Sequence, residues 1–282
     1  MMGRTHALTG LLAGLVVGQL VGLDDTVVEP GSRPESMLAA CAALGPFAAT
    51  VAGYAVFPDL DHRSSSATRL LGPITGLLSR GLRASSEWVY QRARGPADSP
   101  DGGEHRALTH TLVFALALGS VCAATTALWG IWAVLAWLGF GLLLAIDRLG
   151  PIALAAIGVS VVAWLPTTLH SSSLPDGQAL RAAIEACSGW LGLAVALGCI
   201  THCLGDALTE SGCAFLFPLP IAGETWYELR PPAILRFRTG RRVERILIFP
   251  LVAVGCVLAI PGLVSHLVAL LLPLATAGGG LA

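Results

Sequence analysis

The chain contains no lysine: all 17 of its Lys/Arg cations are arginine, so any positional bias of positive charge is carried by arginine alone. Charge of either sign is scarce. Charged residues make up 12% of the 282 residues, against about 25% in soluble domains, which excludes an ordinary soluble globular fold. A formal net charge of −1 offers no attraction for a nucleic acid. The seven cysteines lack paired spacing, which excludes a disulfide framework. Cys41, Cys122, Cys187, Cys199 and Cys256 lie in apolar runs, as small core residues do. No His-Glu-x-x-His occurs, which removes a zincin-type protease. The apolar stretch after Arg4 lacks a small-x-small cleavage site ahead of a soluble domain and reads as a retained first helix.

What is abundant is apolar sequence: 54% of residues are hydrophobic and the mean hydropathy is +0.72. Several uncharged runs approach or exceed the roughly 20 residues needed to cross a bilayer as a helix. The class is an all-α polytopic membrane protein, read as one membrane-embedded domain over 1–282 with about seven spans. The spans are expected at 7–23, 36–57, 108–128, 131–146, 151–169, 179–200 and 246–272. The uncharged run 108–146 is too long for one crossing, and Trp129-Gly130-Ile131-Trp132 in its middle reads as a turn at an aromatic belt. A short acidic loop with Asp24, Asp25 and Glu29 follows the first span.

Two polar inserts remain. In 63–104, Leu70, Leu71, Ile74, Leu77, Leu78 and Leu82 recur at helical spacing beside Arg69, Arg80 and Arg83, with Trp88 and Tyr90 following, as in a helix lying in the interface plane. In 210–245, six arginines accompany Trp226 and Tyr227, which read as interface anchors.

Imidazoles and carboxylates gather at the ends of apolar runs: His6, then Asp59, Asp61 and His62, then His105 and His110, then His202 and Asp206. Seven crossings place all of these on one side of the membrane. Fifteen of the 17 arginines fall on that side, leaving Arg33 and Arg181 opposite. The positive-inside rule then assigns the ligand-bearing side to the cytoplasm, with residue 100 inside and residue 172 outside.

His and Asp suit divalent zinc, manganese or iron. His202 and Asp206 are spaced i, i+4, so on a helix they project from one face. His105 and His110 are about 140° apart on a helix, so both reach one ion only if His105 sits in or before the first turn. Asp59 and Asp61 are expected to alternate in an extended segment beyond Pro58. Eight candidate ligands exceed the four of a closed structural zinc site, which points to two or more ions with open positions, within an expected range of one to three. His6, Asp59, His62, His110, His202 and Asp206 are expected as ligands. His105 and Asp61 are ligands or ligand supports, Asp61 is also the candidate base, and Arg106 is a candidate phosphate contact. His170 and His266 are expected not to bind metal. Cys203 and Cys213 flank the site.

In order, Gly3-Arg4-Thr5-His6, Pro58-Asp59-Leu60-Asp61-His62, His105-Arg106-Ala107-Leu108-Thr109-His110 and His202-Cys203-Leu204-Gly205-Asp206-Ala207-Leu208-Thr209 resemble the YdjM-like family of membrane-bound metal-dependent hydrolases. That family is distantly similar to zinc-dependent phospholipase C and P1-type nucleases, which hydrolyse phosphoesters with several zinc ions. The resemblance implies a helical multi-metal site, with zinc the expected metal, in an inner-membrane hydrolase; an interfacial site next to an amphipathic helix favours a lipid-borne or small phosphoester as substrate. Membrane lipids are the expected partners. The alternative is a non-catalytic metal-binding membrane protein, a transporter or a sensor, which would favour ionisable residues deep along a path through the spans.

Overall fold

The computed structural model describes residues 1–23, 34–63, 65–103, 105–151, 158 and 175–269. It is helical, and among the described residues β-pairing is limited to isolated bridges such as Thr209 with Phe237 and Cys213 with Leu229. The helices are α1 (Gly3–Leu20), α2 (Pro34–Tyr54), α3 (Pro73–Ala93), α4 (Leu112–Trp129), α5 (Ile131–Leu149), α6 (Asp176–Ala186), α7 (Ser188–Ala207) and α8 (Phe249–Leu258). A last helix, α9, covers Leu263–Ala269.

Among the described residues, four helical stretches are long and apolar enough to cross a bilayer: Ser36–Asp61, Leu112–Trp129, Ile131–Leu149 and Ser188–Ala207. The count becomes five if Glu244–Leu258 and Leu263–Ala269, bent by 74°, form one span. Among the described residues, four or five of the expected seven spans thus meet that test. α1 is helical, but Arg4, His6 and Gln19 dilute its apolarity. The expected span 151–169, with His170, lies almost wholly outside the described residues, as do Arg33 and the acidic loop. The expected span 179–200 divides at Cys187, and its apolar part is the later helix α7, which runs on to Ala207. The expected continuous helix over 246–272 is broken after Leu258, where Pro261 disfavours helical backbone in the residue before it. The division of 108–146 falls as expected: α4 ends and α5 begins at Gly130, whose φ of 57° is a conformation glycine adopts without strain. Trp129 and Trp132 flank that turn and are exposed, as belt residues are.

α2 is the hub. Of its most apolar stretch 78% is buried, against 22% for α4 and 28% for α5, whose outer faces expose Leu116, Val121, Leu135 and Leu143. Lipid chains are as apolar as leucine, so close backbone packing rather than water exclusion must hold such helices together. Glycine permits it. A Cβ on Gly10 would lie 2.9 Å from Ala52 Cα, and one on Gly14 would lie 2.6 Å from Ala48 Cα. Rising numbers in α1 meet falling numbers in α2, so the two helices are antiparallel. Gly53 backs onto the Gly141 carbonyl of α5, and Gly198 of α7 onto the Val51 carbonyl. Likewise Gly119 of α4 faces Gly192 of α7. These pairings bring the start of α1, the end of α2, the start of α4 and the ends of α5 and α7 to one end of the bundle.

α3 is amphipathic with its polar face inward. Thr75, Ser79 and Ser86 are buried, while Ile74, Leu77, Leu78 and Trp88 are exposed. Leu70 and Leu82 pack against the core. Ser86 is a structural link: its hydroxyl donates to the Gly103 carbonyl at 2.7 Å and accepts from Leu108 N–H at 3.1 Å. That anchors the segment carrying His105 and His110. Trp226, expected as an interface anchor, is instead buried between Phe217, stacked at 3.8 Å between ring centroids, and Tyr90 at 5.1 Å.

Candidate metal centre

Each contributor reaches the site by a local rule. His6 sits in the first turn of α1 and is buried. α2 ends at Tyr54, and Phe57–Asp61 forms a 3-10 turn with Pro58 in its first positions. Asp59 and Asp61 therefore do not alternate along an extended segment as expected; the extended residue is His62, which follows the turn. Thr111 caps α4 by accepting from Phe114 N–H at 3.1 Å, which fixes where that helix begins. His110 closes the 3-10 turn Leu108–His110 just ahead of it, and His105 lies before that turn. His202 and Asp206 project from the buried face of α7, one helical turn apart.

The donors converge. His110 Nε2 and His202 Nε2 are 3.1 Å apart. His202 Nε2 lies 3.7 Å from Asp206 Oδ2 and 3.9 Å from Asp59 Oδ1. His6 Nε2 is 3.2 Å from Asp206 Oδ1, and the His6 and His202 rings stack with centroids 3.8 Å apart. The Met1 amino group also pairs with Asp206. Three sets of donor atoms lie within 4.8 Å of one another: His6, His202 and Asp206; Asp59, His110 and His202; and Asp61, His105 and His110. His62 joins none of these among the described residues; it is exposed and packs edge-on against His105, with centroids 4.8 Å apart. His266 belongs to none either.

The support of these rings matters as much as the donors. His202 Nδ1 donates to the Ala55 carbonyl at 2.8 Å, which leaves the Nε2 lone pair facing the cluster. The Asp61 carboxylate has partners on both oxygens. Its Oδ1 meets His105 Nδ1 at 2.6 Å, while Oδ2 accepts from the Thr109 hydroxyl at 2.6 Å and from Arg106 N–H at 3.2 Å. His110 Nδ1 lies 3.3 Å from the same oxygen. Burial alone would keep the His110 imidazole neutral, but the Asp61 carboxylate against Nδ1, with Asp206 beyond, raises its pKa to about 9. Arg106 has φ of 58°, a left-handed conformation uncommon for a side-chain-bearing residue. It is held there by its N–H on Asp61 and its guanidinium Nη2, 3.1 Å from Asp206 Oδ2.

This donor set fits a divalent ion. Imidazole nitrogens and carboxylates are the ligands zinc takes, the His105, His110 and His202 rings are aimed by Nδ1 partners as metal-binding histidines are, and His6 Nδ1 is buried without a partner. His202 has only Nε2 left for binding and serves two of the three sets, as His110 does, so the sets overlap and cannot each hold an ion independently.

The sequence alone gives Thr109 and Arg148 no part at the centre. Thr109 stands inside the His-Arg-Ala-Leu-Thr-His motif and was legible as a hydroxyl between two histidines. Arg148, at the end of α5, counts from sequence only toward membrane orientation; the Asp147-Arg148 pair closing an uncharged run was the available signal. Cys213, whose Sγ donates to the His110 carbonyl at 3.0 Å, supports the turn without being in a donor set.

Compared with known proteins, a family model described as YdjM inner membrane protein matches residues 1–268. No curated protein and no solved structure matches the chain.

Proposed function

The chain belongs to the YdjM inner membrane protein family, and on that footing we propose that it is a membrane-embedded, metal-dependent hydrolase of phosphoesters. The observation that carries this reading is the meeting of two donor sets at His202, one with His6 and Asp206 and one with Asp59 and His110, with the His202 and His110 rings held by partners on Nδ1. His110, His202 and Asp59 would hold one divalent ion, zinc by preference, with Asp206 and His6 able to complete or extend the set. Bound there, such an ion lowers the pKa of water toward about 7 and polarises a phosphoryl oxygen.

The chain's own residues supply the rest. Asp61 acts through its neighbours: it fixes the tautomers of His105 and His110 and is a positioning residue rather than the base. His105, 35% exposed and tethered by Nδ1 to Asp61, keeps Nε2 available to take a proton from water or give one to a leaving alkoxide. Arg106 spans the cluster and presents a cation to phosphate. α3 packs against the turns Phe57–Asp61 and Leu108–His110, and its exposed Ile74, Leu77 and Trp88 suit the headgroup region, so a lipid-borne phosphoester is the favoured substrate class. The arginine bias supports a cytoplasmic orientation for this end.

The test combines metal content with turnover. Purified protein is expected to carry zinc and to hydrolyse phospholipid or generic phosphodiester substrates, while His110→Ala and Asp206→Ala lose both. Equal turnover in wild type and both variants removes the enzyme; wild type without any bound metal removes the centre itself.

A further inference from the structure

Beside the donor cluster lies a cavity of about 290 Å³, lined by Asp59, His105, Arg106, Arg148, Ser65 and Ser66 among others. It is near the lower end of the roughly 300–1,000 Å³ of small-molecule sites, so it fits a headgroup rather than a whole lipid. Two guanidinium groups border it, and both are largely buried: the side chains of Arg106 and Arg148 are 20% and 17% exposed. A buried cation without full pairing is costly, and neither is fully paired. Arg106 Nη1 is buried with no partner. Arg148 Nη2 donates to Ser65 Oγ at 3.1 Å, whereas Nε lies 3.3 Å from Asp147 Oδ2 without the alignment of a hydrogen bond.

The position of Arg148 is built, not incidental. Asp147 accepts from Ser66 Oγ at 2.7 Å, so the end of α5 is tied to the 65–66 loop by two neighbouring residues. The guanidinium lies over the backbone of Gly3, where a Cβ would stand 2.7 Å from Cζ and 2.8 Å from Nη1. Glycine at position 3 of the Gly-Arg-Thr-His motif is thereby explained: any side chain would displace Arg148 from the cavity wall. A second cavity of about 330 Å³ shares His105 and Arg106 but is walled by Asp98, Glu224 and Glu228, a lining that repels an anion. The contrast selects the smaller one.

We infer that Arg106 and Arg148 form a clamp for a terminal phosphate group, a phosphomonoester dianion, seated in this cavity against the metal cluster. The inference rests on the hydrolase reading for the fate of that phosphate, though not for its binding. It gives Arg148 a part in substrate selection: two planar forks match a dianion with three free oxygens better than a phosphodiester with two.

The experiment measures binding of inorganic phosphate by calorimetry to detergent-solubilised full-length protein, metal-free and zinc-loaded. Arg148→Gln is expected to weaken phosphate binding about tenfold or more with zinc content unchanged. Arg148→Lys should recover only part of the loss, and Gly3→Ala should mimic it. A second arm compares turnover of phosphatidic acid in micelles with glycerol phosphate in solution, which separates a lipid headgroup from a free phosphomonoester as the source. Phosphate binding that is the same in wild type and Arg148→Gln overturns the clamp, as does zinc-loaded wild type that binds no phosphate. Should wild type hold no zinc yet bind phosphate through Arg148, the clamp stands and the hydrolase reading falls.

Discussion

His110 Nε2 and His202 Nε2 face each other across 3.1 Å, although each ring is anchored from behind by a different part of the chain. His202 hangs from the Ala55 carbonyl near the end of α2, and His110 from Asp61 and Thr109. Two imidazoles approach this closely only if a proton or a metal ion lies between their lone pairs. With His110 raised to about 9, its protonated ring can supply that proton, Nε2–H donating to His202 Nε2. The proton occupies the place that a divalent ion would take.

Zinc loading should therefore release a proton. Below pH 9 the metal-free site carries the His110 proton, and an ion displaces it. Calorimetry of zinc binding at pH 7 in buffers of different ionisation enthalpy should show about one proton released, and the apparent affinity should rise with pH up to about 9. The stability of the metal-free form carries the matching sign. His110 is raised above its unfolded value of about 6.5, so its contribution is complete below that pH and is lost as pH rises through about 9. A zinc enthalpy independent of buffer would contradict this arrangement.

Asp61→Asn tests whether Asp61 holds ligands or is one. As a holder, its replacement should weaken zinc binding by about 10- to 100-fold, the range for second-layer partners of metal histidines. Asp206→Ala, which removes a donor atom, should abolish stoichiometric binding. Zinc titration against a chromophoric chelator separates the two. If both variants lose zinc equally, Asp61 is a direct ligand.

Much of this centre was legible in the sequence because apolar run length and residue type carry it. The ends of the runs fixed which imidazoles and carboxylates share one end of the bundle, and the turn at Gly130 kept that parity. What was not legible depends on conformations set by distant segments. The contact between the Asp61 carboxylate and the Arg106 N–H depends on the left-handed conformation of Arg106. Trp226 is buried because Tyr90 and Phe217, far apart in sequence, form a slot for it. The break between α8 and α9 falls beside Pro261-Gly262, which stands inside an otherwise unbroken apolar run long enough for one span.

The α1–α2 seam should respond to a single methyl group. A Cβ on Gly14 would stand 2.6 Å from Ala48 Cα, a backbone atom that cannot rotate away. Gly14→Ala should therefore destabilise the detergent-solubilised protein by about 1–3 kcal/mol and lower its zinc retention, because His6 rides on α1. Gly76→Ala, in α3 with open space around its Cβ position, should stay within about 0.5 kcal/mol. Thermal unfolding of the two variants side by side gives the comparison, and equal midpoints would show that the seam is looser than its geometry.

Orientation can be settled from both ends of the bundle. The ligand-bearing end carries most of the arginines, and the positive-inside rule ties such an end to the cytoplasm; the Gly130 turn between α4 and α5 lies at the other end. Among native thiols, only Cys41 and Cys187 are not fully buried, so a variant with both changed to serine gives a quiet background. Asp101→Cys in that background should react with a membrane-impermeant maleimide in inverted vesicles and be protected in right-side-out cells. Leu128→Cys, exposed beside the Gly130 turn, should do the opposite. The reverse pattern at both positions would put the metal centre on the outer face, and with it any substrate drawn from the outer leaflet.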